Sequence, residues 1–529
     1  MKTRSLWVAA CVGSLLAGCS FLIDFQDLKG TATPADGGLD PEPPLDDTPL
    51  VDDSPDNVST GGAPTVPSCA KSCDDGDACT TDRCVDNQCV NEPKLCAATD
   101  ACLTAACVNG QCQETPVVGV VSDGLAEVLE GQQIFRSALA SAGGRFYSAT
   151  YGRFGLANDL ASDVVMRSYD FSSNSWLKEG RFRDILNADN SVGSAVSLIP
   201  SSRPLFPLNT YAAVSSPSNV NGRLVRLQFD KDFEISDTFP PQLTTDPDYF
   251  LSDADAVGPS AGQLRSRETF VVWPGGSPTN PGVYLQVGDR VADTSTGPMF
   301  PAAVRDISGL AVISGGDQPG AVWMSDGLAG VSLQAGIDGN AMPTEVIQCD
   351  KALGYQGYEL DVDNSVDDLW TVAWTKKLGD SYIGELSAIR CSDDGCQDLT
   401  TTGADLRCSR AQIASRVFPG VSALVTRTMR RSERVVGDVL YQAVLAAGRN
   451  GADARLELRL NRIELNAQDK SELVGEPVVF SSGASAQAAR NPQIVLLPPD
   501  QLAVSWIEPK GGGTGDELHV QRHRICFKP

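Results

Sequence analysis

The chain has 529 residues, 42% of them hydrophobic, so it can bury a substantial core and is long enough for more than one domain. Its formal net charge of −25 at pH 7 disfavours a nucleic-acid partner and direct adhesion to anionic lipid. Its 16 cysteines are unusual for a reducing cytosol and favour an oxidising compartment, where disulfides persist.

The first residues have the layout of a secretory signal. Lys2 and Arg4 precede an apolar run over 6–16. This run is shorter than the about 20 apolar residues that a membrane-spanning helix needs. It ends in Leu16-Ala17-Gly18-Cys19, which resembles the lipobox of bacterial lipoproteins. The resemblance implies removal of a signal peptide, residues 1–18, and attachment of lipid to Cys19.

Lipid on Cys19 implies a membrane anchor. A diacylglyceryl group together with an acyl chain such as palmitate would hold the protein stably, because each buried methylene contributes about 0.8 kcal/mol. Ser20 stands where the family's inner-membrane retention signal has Asp. We therefore expect an outer-membrane protein on the periplasmic face or the cell surface. The alternatives are an ordinary cleaved signal and an uncut anchor helix extended through residue 23.

Residues 19–68 are predicted to be the lipid anchor followed by a disordered tether. Between Thr31 and Pro67 the chain has no Lys or Arg, and it has eight acidic residues and eight prolines. Such a segment cannot bury enough apolar surface to fold and repels itself. A recognition arm is the alternative interpretation.

A cysteine-rich repeat follows over 69–117. Four cysteines with the spacing C-x5-C-x4-C-x4-C recur 23 residues later, as Cys73, Cys79, Cys84 and Cys89 and then Cys96, Cys102, Cys107 and Cys112. Units this small lack a hydrophobic core, so disulfides are expected to stabilise them. Four cysteines allow three pairings, and the sequence does not choose among them. Zinc binding would need closer pairs such as C-x2-C, which are absent.

The segment from Asp75 to Cys84 resembles the CTDC-type Cys-rich repeats of extracellular matrix proteins, which also occur in bacterial surface proteins. The resemblance implies an extracellular spacer with no activity of its own. Calcium on Asp74, Asp75 and Asp77 is an alternative. The alternating ligands of an EF-hand are missing, however, and the second unit lacks these acids, so no metal is predicted.

Residues 118–529 are predicted to be all-β, because short β-branched and aromatic runs alternate with Gly, Pro, Asn and Asp clusters. An apolar strand followed by an alternating strand recurs about every 60 residues. The pairs are 145–151 with 164–171, 210–214 with 223–229, 268–273 with 283–287, 310–313 with 321–324, 369–374 with 385–391, 439–445 with 455–465, and 501–506 with 517–527.

This pattern predicts a seven-bladed β-propeller, in which each sheet buries its faces against its neighbours. Residues 270–276 and 311–316 loosely resemble kelch blades. Tandem β-sandwiches are the alternative architecture.

Few residues suggest catalysis. The histidines of the mature chain, His519 and His523, alternate along one predicted strand, and we place them on its solvated face. The densest acidic group of this domain precedes the strand at residue 369 and is expected to form a solvated loop. Its members are Asp361, Asp363, Asp367 and Asp368. We therefore predict no catalytic residue, no cofactor and no metal ligand.

The remaining cysteines are expected to form disulfides. Cys391 and Cys396 flank a turn and are expected either to pair together, leaving Cys349 with Cys408, or to cross-pair with those two. Cys69 and Cys526 are then left over, and we predict that they join the repeat segment to the last strand.

These features predict a membrane-anchored lipoprotein of the cell envelope, with a binding or structural role. Loops of the β-rich head would contact an unknown protein or glycan. The alternative is a carboxylate-dependent propeller enzyme that acts on a glycan or a lactone.

Overall fold

The computed structural model describes residue 69 and most of the chain from 72 to 527. The described ranges are 69, 72–142, 145–155, 163–170, 175–183, 192–203, 206–216, 219–229, 242–243, 260–264, 266, 268–275, 282–287, 300–301, 307–313, 319–327, 330–337, 344–348, 356–366, 369–392, 395–398, 417–433, 437–448, 454–464, 471–497, 500–511 and 513–527. Cys19, Cys349, Cys408, Asp367 and Asp368 lie outside them, as do the predicted signal and tether. No helix within these ranges is long and apolar enough to cross a bilayer.

Each cysteine-rich unit folds as one β-hairpin. The strands are β1 (Thr80–Val85), β2 (Gln88–Pro93), β3 (Leu103–Val108) and β4 (Gln111–Pro116), paired as β1–β2 and β3–β4. Asp86 and Asn87 in the first turn, and Asn109 and Gly110 in the second, all have positive φ. A two-residue hairpin turn of type I′ requires this conformation at both positions, and Asn, Asp and Gly tolerate it best.

Five disulfides involve the repeat segment: Cys69–Cys84, Cys73–Cys89, Cys79–Cys107, Cys96–Cys112 and Cys102–Cys526. The predicted Cys69–Cys526 bond is therefore wrong, although Cys526 does join the repeat segment to the last strand. The second cysteine of one unit, Cys79, bonds the third cysteine of the next, Cys107. Cys102 is the second cysteine of the last unit, so Cys526 takes the place of a third cysteine in a following unit.

The rest of the described chain is almost entirely β-structure. Its elements are β5 (Gly119–Gly131), β6 (Gln133–Ala142), β7 (Arg145–Arg153), β8 (Asp163–Asp170), β9 (Ser175–Arg183), β10 (Val192–Arg203), β11 (Phe206–Ser216), β12 (Asn219–Phe229), β13 (Gln242–Leu243), β14 (Ser260–Gln263), β15 (Thr269–Gly275), β16 (Gly282–Val287), β17 (Phe300–Pro301), β18 (Ile307–Ile313), β19 (Gly320–Gly327), β20 (Gly330–Ile337), β21 (Thr344–Gln348), β22 (Gln356–Val366), β23 (Leu369–Leu378), β24 (Ser381–Ser392), β25 (Gly395–Asp398), β26 (Val417–Pro419), β27 (Val421–Glu433), β28 (Gly437–Gly448), β29 (Arg455–Glu464), β30 (Ser471–Leu473), β31 (Val478–Ser482), α1 (Ala484–Ala488), β32 (Arg490–Leu497), β33 (Gln501–Pro509) and β34 (Asp516–Cys526).

These strands form antiparallel sheets in chain order, and each sheet is named here by its first strand. The sheets are β6–β7–β8–β9, β10–β11–β12–β13, β14–β15–β16–β17, β18–β19–β20–β21, β22–β23–β24–β25 with β26 on β24, β27–β28–β29–β30 with β31 on β29, and β32–β33–β34–β5. The first strands contact one another in succession, and β32 contacts β6. This ring of sheets is a β-propeller arrangement, which tandem sandwiches would not produce.

The last sheet closes the ring, because β5 comes from the start of the domain and the other three strands come from its end. β5 pairs with β34 from Gly119–Cys526 to Gly131–Asp516. We call β32–β33–β34–β5 the closing sheet. The two ends of the domain are thereby hydrogen-bonded to each other.

The cores lie between neighbouring sheets. Tyr441 and Leu458 of the β27 sheet pack with Trp506 of the closing sheet, and Leu518 on the other face of that sheet packs with Phe146. Because both faces of a sheet are covered, its middle strands are buried throughout, as in β7 and β33.

Each predicted strand pair occurs as adjacent strands of one sheet. The pairs are second and third strands everywhere except in the β18 sheet, where they are the first and second. Burial on both faces makes the middle strands the most apolar, so they are the ones that the sequence pattern identifies.

Several contacts hold the repeat segment to the closing sheet. Besides the Cys102–Cys526 bond, Arg524 Nη1 donates to Asp100 Oδ2 at 2.9 Å. The chain then enters β5 at Val118 and Gly119, where Gly475 has φ +70° and a Cβ there would collide with Val118 O. Glycine at 475 is therefore required by both the backbone conformation and the close approach.

We expect the Cys102→Ser/Cys526→Ser double variant to lower the free energy of unfolding by about 2–5 kcal/mol, because the bond restrains the two strands that close the ring. Guanidinium unfolding followed by tryptophan fluorescence would measure this, since the seven tryptophans lie at or beyond residue 176, outside the repeat segment. Cys96→Ser/Cys112→Ser is the matched control and should leave that transition unchanged. Equal effects of the two double variants would contradict the assignment.

Candidate functional site

The first strand of each sheet has one edge without a strand partner in its own sheet. Backbone N–H groups on such an edge need acceptors from elsewhere. Three seams between neighbouring sheets supply them from side chains. Asn491 accepts from Ser137 N, Ser260 Oγ from Val312 N at 3.2 Å, and Asp361 Oδ2 from Thr426 N at 3.0 Å. In each case the acceptor lies on the preceding sheet and the donor on the next.

Asp361 and Asp363 take part in this bonding, so the prediction that they form a solvated loop is wrong. Both lie in β22, two residues apart and hence on one face. Asp363 is 7% exposed and accepts from Thr428 N, while Asp361 also accepts from Arg427 Nη1 at 2.7 Å. These carboxylates hold β22 to β27.

The Arg427 guanidinium is held charged by its acidic neighbours. Desolvation by burial is the largest effect on its pKa and lowers it, but the charges of Asp361 and Asp363, with the hydrogen bond to Asp361, outweigh that effect. The pKa of Arg427 therefore lies above its ordinary value. Arg427 consequently partners these carboxylates across the whole accessible pH range.

A second ion pair connects sheets that are not neighbours in the ring. Arg136 Nη1 of β6 lies 3.8 Å from Glu359 Oε1 of β22. β6 contacts β10 and β32, whereas β22 contacts β18 and β27, so this pair spans the opening between first strands. The two side chains keep 33% and 24% exposure. We call Arg136, Glu359, Asp361 and Arg427 the central ionic site.

The central ionic site is suited to binding a polar ligand. It presents two guanidinium groups and two carboxylates, and Arg427 and Asp361 keep 23% and 18% exposure. Guanidinium groups recognise carboxylates and hydroxyl oxygens through several donors at once. The sequence singled out Asp361 but missed Arg136, Glu359 and Arg427, because residues so distant along the chain are brought together only by the ring.

The histidines do not lie on a solvated face. His523 is fully buried, with Phe480 of the β27 sheet at a ring distance of 5.3 Å. His519 is 20% exposed and stacks on Trp506 at 5.0 Å. The alternation was identified correctly, but the face that both histidines share packs against a neighbouring sheet.

Burial lowers the pKa of His523 from 6.5 to about 4, although a backbone interaction with Val121 and the charge of Asp123 oppose the effect. The neutral imidazole is therefore the folded form near neutral pH.

In the repeat segment, oxygens of Asp74, Asp75 and Asp82 lie within 4.8 Å of one another. Asp77 is not in this group, and its Oδ1 accepts from Cys79 N at 2.8 Å. The pKa of Asp75 is lowered, chiefly by the hydrogen bond from Asp77 N and also by those from Thr80 and Asn91. Hydrogen bonds within the loop therefore stabilise the charged form of Asp75.

Cys391 and Cys396 are directly opposite each other in the β24–β25 hairpin. This backbone register is compatible with the predicted bond between them, which stays a prediction.

No family model matches the chain, and no curated protein matches it in sequence. Several solved structures resemble it. The intramolecular trans-sialidase of Ruminococcus gnavus is 10% identical with a TM-score of 0.37, covering 75% of this chain and 96% of that one. The α-L-arabinanase of Penicillium chrysogenum is 9% identical with a TM-score of 0.39, covering 77% and 98%. Drosophila semaphorin 2a is 6% identical with a TM-score of 0.41, covering 77% and 75%. Likeness at this level transfers no activity.

The stability of the head should fall on mild acidification because of His523. Its folded pKa of about 4 is below the unfolded value of 6.5, so the unfolded chain binds the proton first. Stability is then full above pH 6.5 and decreases as the pH falls toward 4, by about 3 kcal/mol. Urea unfolding of the native chain and His523→Leu between pH 7.5 and 4 would test this. The difference between the two should change over that interval, and a constant difference would contradict the prediction.

Proposed function

We propose that this chain is an exported, membrane-anchored lipoprotein of the cell envelope whose β-propeller head binds a ligand. The observation that carries the proposal is the Cys102–Cys526 disulfide, which fastens the repeat segment to the strand that closes the ring. Disulfides persist in oxidising compartments and are rare in the cytosol. The head is thereby fixed to a cross-linked segment that leads back toward the N-terminus.

The anchor would be lipid on Cys19, inserted in the outer membrane, with the acidic segment up to residue 68 as the tether. Support comes from the lipobox-like Leu16-Ala17-Gly18-Cys19 and from the composition of the tether. The two cysteine-rich units would then act as a CTDC-type spacer. The five disulfides are consistent with that role.

The head would be a seven-bladed propeller, with each of the sheets described above as one blade. The succession of contacts between first strands supports this number, as does the closure of β32 onto β6.

Binding is favoured over catalysis by the way the acids of the central ionic site are used. A glycosidase needs two carboxyl groups with room for substrate between them. Asp361 is engaged by a backbone N–H and by Arg427, and the neighbouring Asp363 by Thr428 N. Glu359 is the carboxylate of the site that keeps the largest exposed fraction, and it lies beside Arg136. A polar ligand such as a glycan, or an acidic or basic protein segment, could contact this pair.

A carboxylate-dependent enzyme acting on a glycan is the second candidate. It is favoured by the partial exposure of Glu359, next to a guanidinium that could hold an anionic substrate group. In that case Glu359 would act as acid or base, and a second carboxylate would have to come from Asp361.

Cys19→Ala should abolish incorporation of an alkyne-labelled palmitate and move the protein from the membrane fraction to the soluble fraction. Cys11→Ala is the matched control, because Cys11 lies within the predicted signal peptide. In-gel fluorescence and fractionation measure the outcome. Unchanged labelling of Cys19→Ala would exclude lipid at this residue, without bearing on the ligand.

Arg136→Gln should reduce binding of the head to its best ligand on a glycan and peptide array by about tenfold, the equivalent of one charge-assisted hydrogen bond. Arg83→Gln, which removes an exposed ion pair with Glu92 in the repeat segment, should bind normally. Product analysis on the same ligands distinguishes the two candidates. Turnover that Glu359→Gln abolishes would establish the enzyme, and binding without turnover would establish the binding protein.

A further inference from the structure

One face of the closing sheet carries three glutamates in a single cross-strand row. Glu508 of β33 is directly opposite Glu517 of β34, which is directly opposite Glu130 of β5. Residues directly opposite in an antiparallel ladder lie on the same face, with Cβ atoms about 5 Å apart, and like charges in such positions are destabilising. The row therefore calls for a cation.

Glu130, at the outer end of the row, has such a cation in Lys510, whose Nζ contacts Glu130 Oε2. Both of these side chains are exposed. At the inner end, Glu508 is only 9% exposed, and its Oε1 is buried without a hydrogen-bond partner. A buried carboxylate oxygen without a donor is costly, so a ligand is expected at this position.

His519 lies one step along the same face. Its Nε2 is 3.5 Å from Glu517 Oε2 and 3.9 Å from Glu508 Oε2, and this nitrogen also is buried without a hydrogen-bond partner. One imidazole nitrogen and two carboxylates thus converge from two adjacent strands.

The imidazole is held in place by aromatic stacking. Trp506, directly opposite His519, stacks on it at 5.0 Å with an interplanar angle of 7°, and Phe480 stacks on Trp506 at 4.7 Å. These contacts fix the plane of the ring before any ligand binds. Metal sites depend on such support of the ligating histidine.

We propose that Glu508, His519 and Glu517 bind a divalent transition-metal ion of the zinc class. Zn²⁺ takes imidazole nitrogen and carboxylate oxygen in tetrahedral sites with bonds of about 2.0–2.2 Å, which places ligand atoms about 3.3–3.6 Å apart. The two separations from Nε2 are close to this range. Glu517 is 23% exposed and has room to rotate toward the ion.

Calcium fits less well, because it prefers six to eight oxygen ligands. Three protein ligands would leave the fourth position of a tetrahedral zinc ion open to water or to a ligand. The site is independent of lipidation and of the central ionic site. The competing arrangement is a protonated His519 that acts as the cation itself, with no metal bound.

The two histidines make the test specific, because the whole chain contains only His519 and His523. The untagged mature protein, labelled with ¹⁵N-histidine and with free thiols alkylated, would be titrated with ZnCl₂ at pH 7.5. We expect the ring nitrogen signals of His519 to shift at micromolar zinc and those of the buried His523 to stay unchanged. The readout is local, so zinc bound elsewhere does not affect it.

Glu517→Gln, a partly exposed and conservative change, should weaken this zinc response at least tenfold. Glu130→Gln, in the same row but paired with Lys510, is the matched control and should respond as the native chain does. Unshifted His519 signals up to millimolar zinc would overturn the proposal, and so would equal zinc affinities of the two variants. A pH titration without metal that shows His519 protonated at pH 7.5 would assign the cation to the imidazolium and also overturn it.

Discussion

The hydrogen-bonded pairing of β5 with β34 is the interaction on which the rest of the head depends. Without it the ring of sheets would be an open series whose first and last members expose an apolar face. With it, β32 contacts β6, and Leu518 of the closing sheet packs against Phe146 of the first. A ring closed by strands from both ends of the domain also keeps those ends together. The Cys102–Cys526 bond lies at the end of this pairing, where Cys526 is opposite Gly119.

A second constraint comes from the open edge of each first strand. Buried backbone donors must be paired, and here side chains of the preceding sheet accept from them. Asp361 and Asp363 serve this purpose, which is why a dense acidic group at the centre of a propeller is structural in this protein. What remains accessible is Glu359 beside Arg136, a pair better suited to contacting a ligand than to two-carboxylate chemistry.

The repeat units and the head are one disulfide-linked series. Cys79 bonds forward to Cys107, and Cys102 bonds forward to Cys526, so the last strand completes the array as a further unit would. The segment before the head is therefore joined to it covalently, and the direction in which the tether leaves is fixed at the closing sheet. Such a joint suits a head that is presented at a distance from a membrane.

The sequence by itself determined the features that are local or periodic. The 23-residue cysteine repeat, the all-β class and the strands of the sheet interiors could all be read directly, because burial on both faces leaves apolar runs. Tertiary structure decided what depends on meetings between distant residues. The partner of Cys526, the engagement of Asp361, the burial of His523 and the pairing of Arg136 with Glu359 were all decided in this way. A strand's alternation shows which residues share a face, but only the packed ring determines whether that face meets water or another sheet.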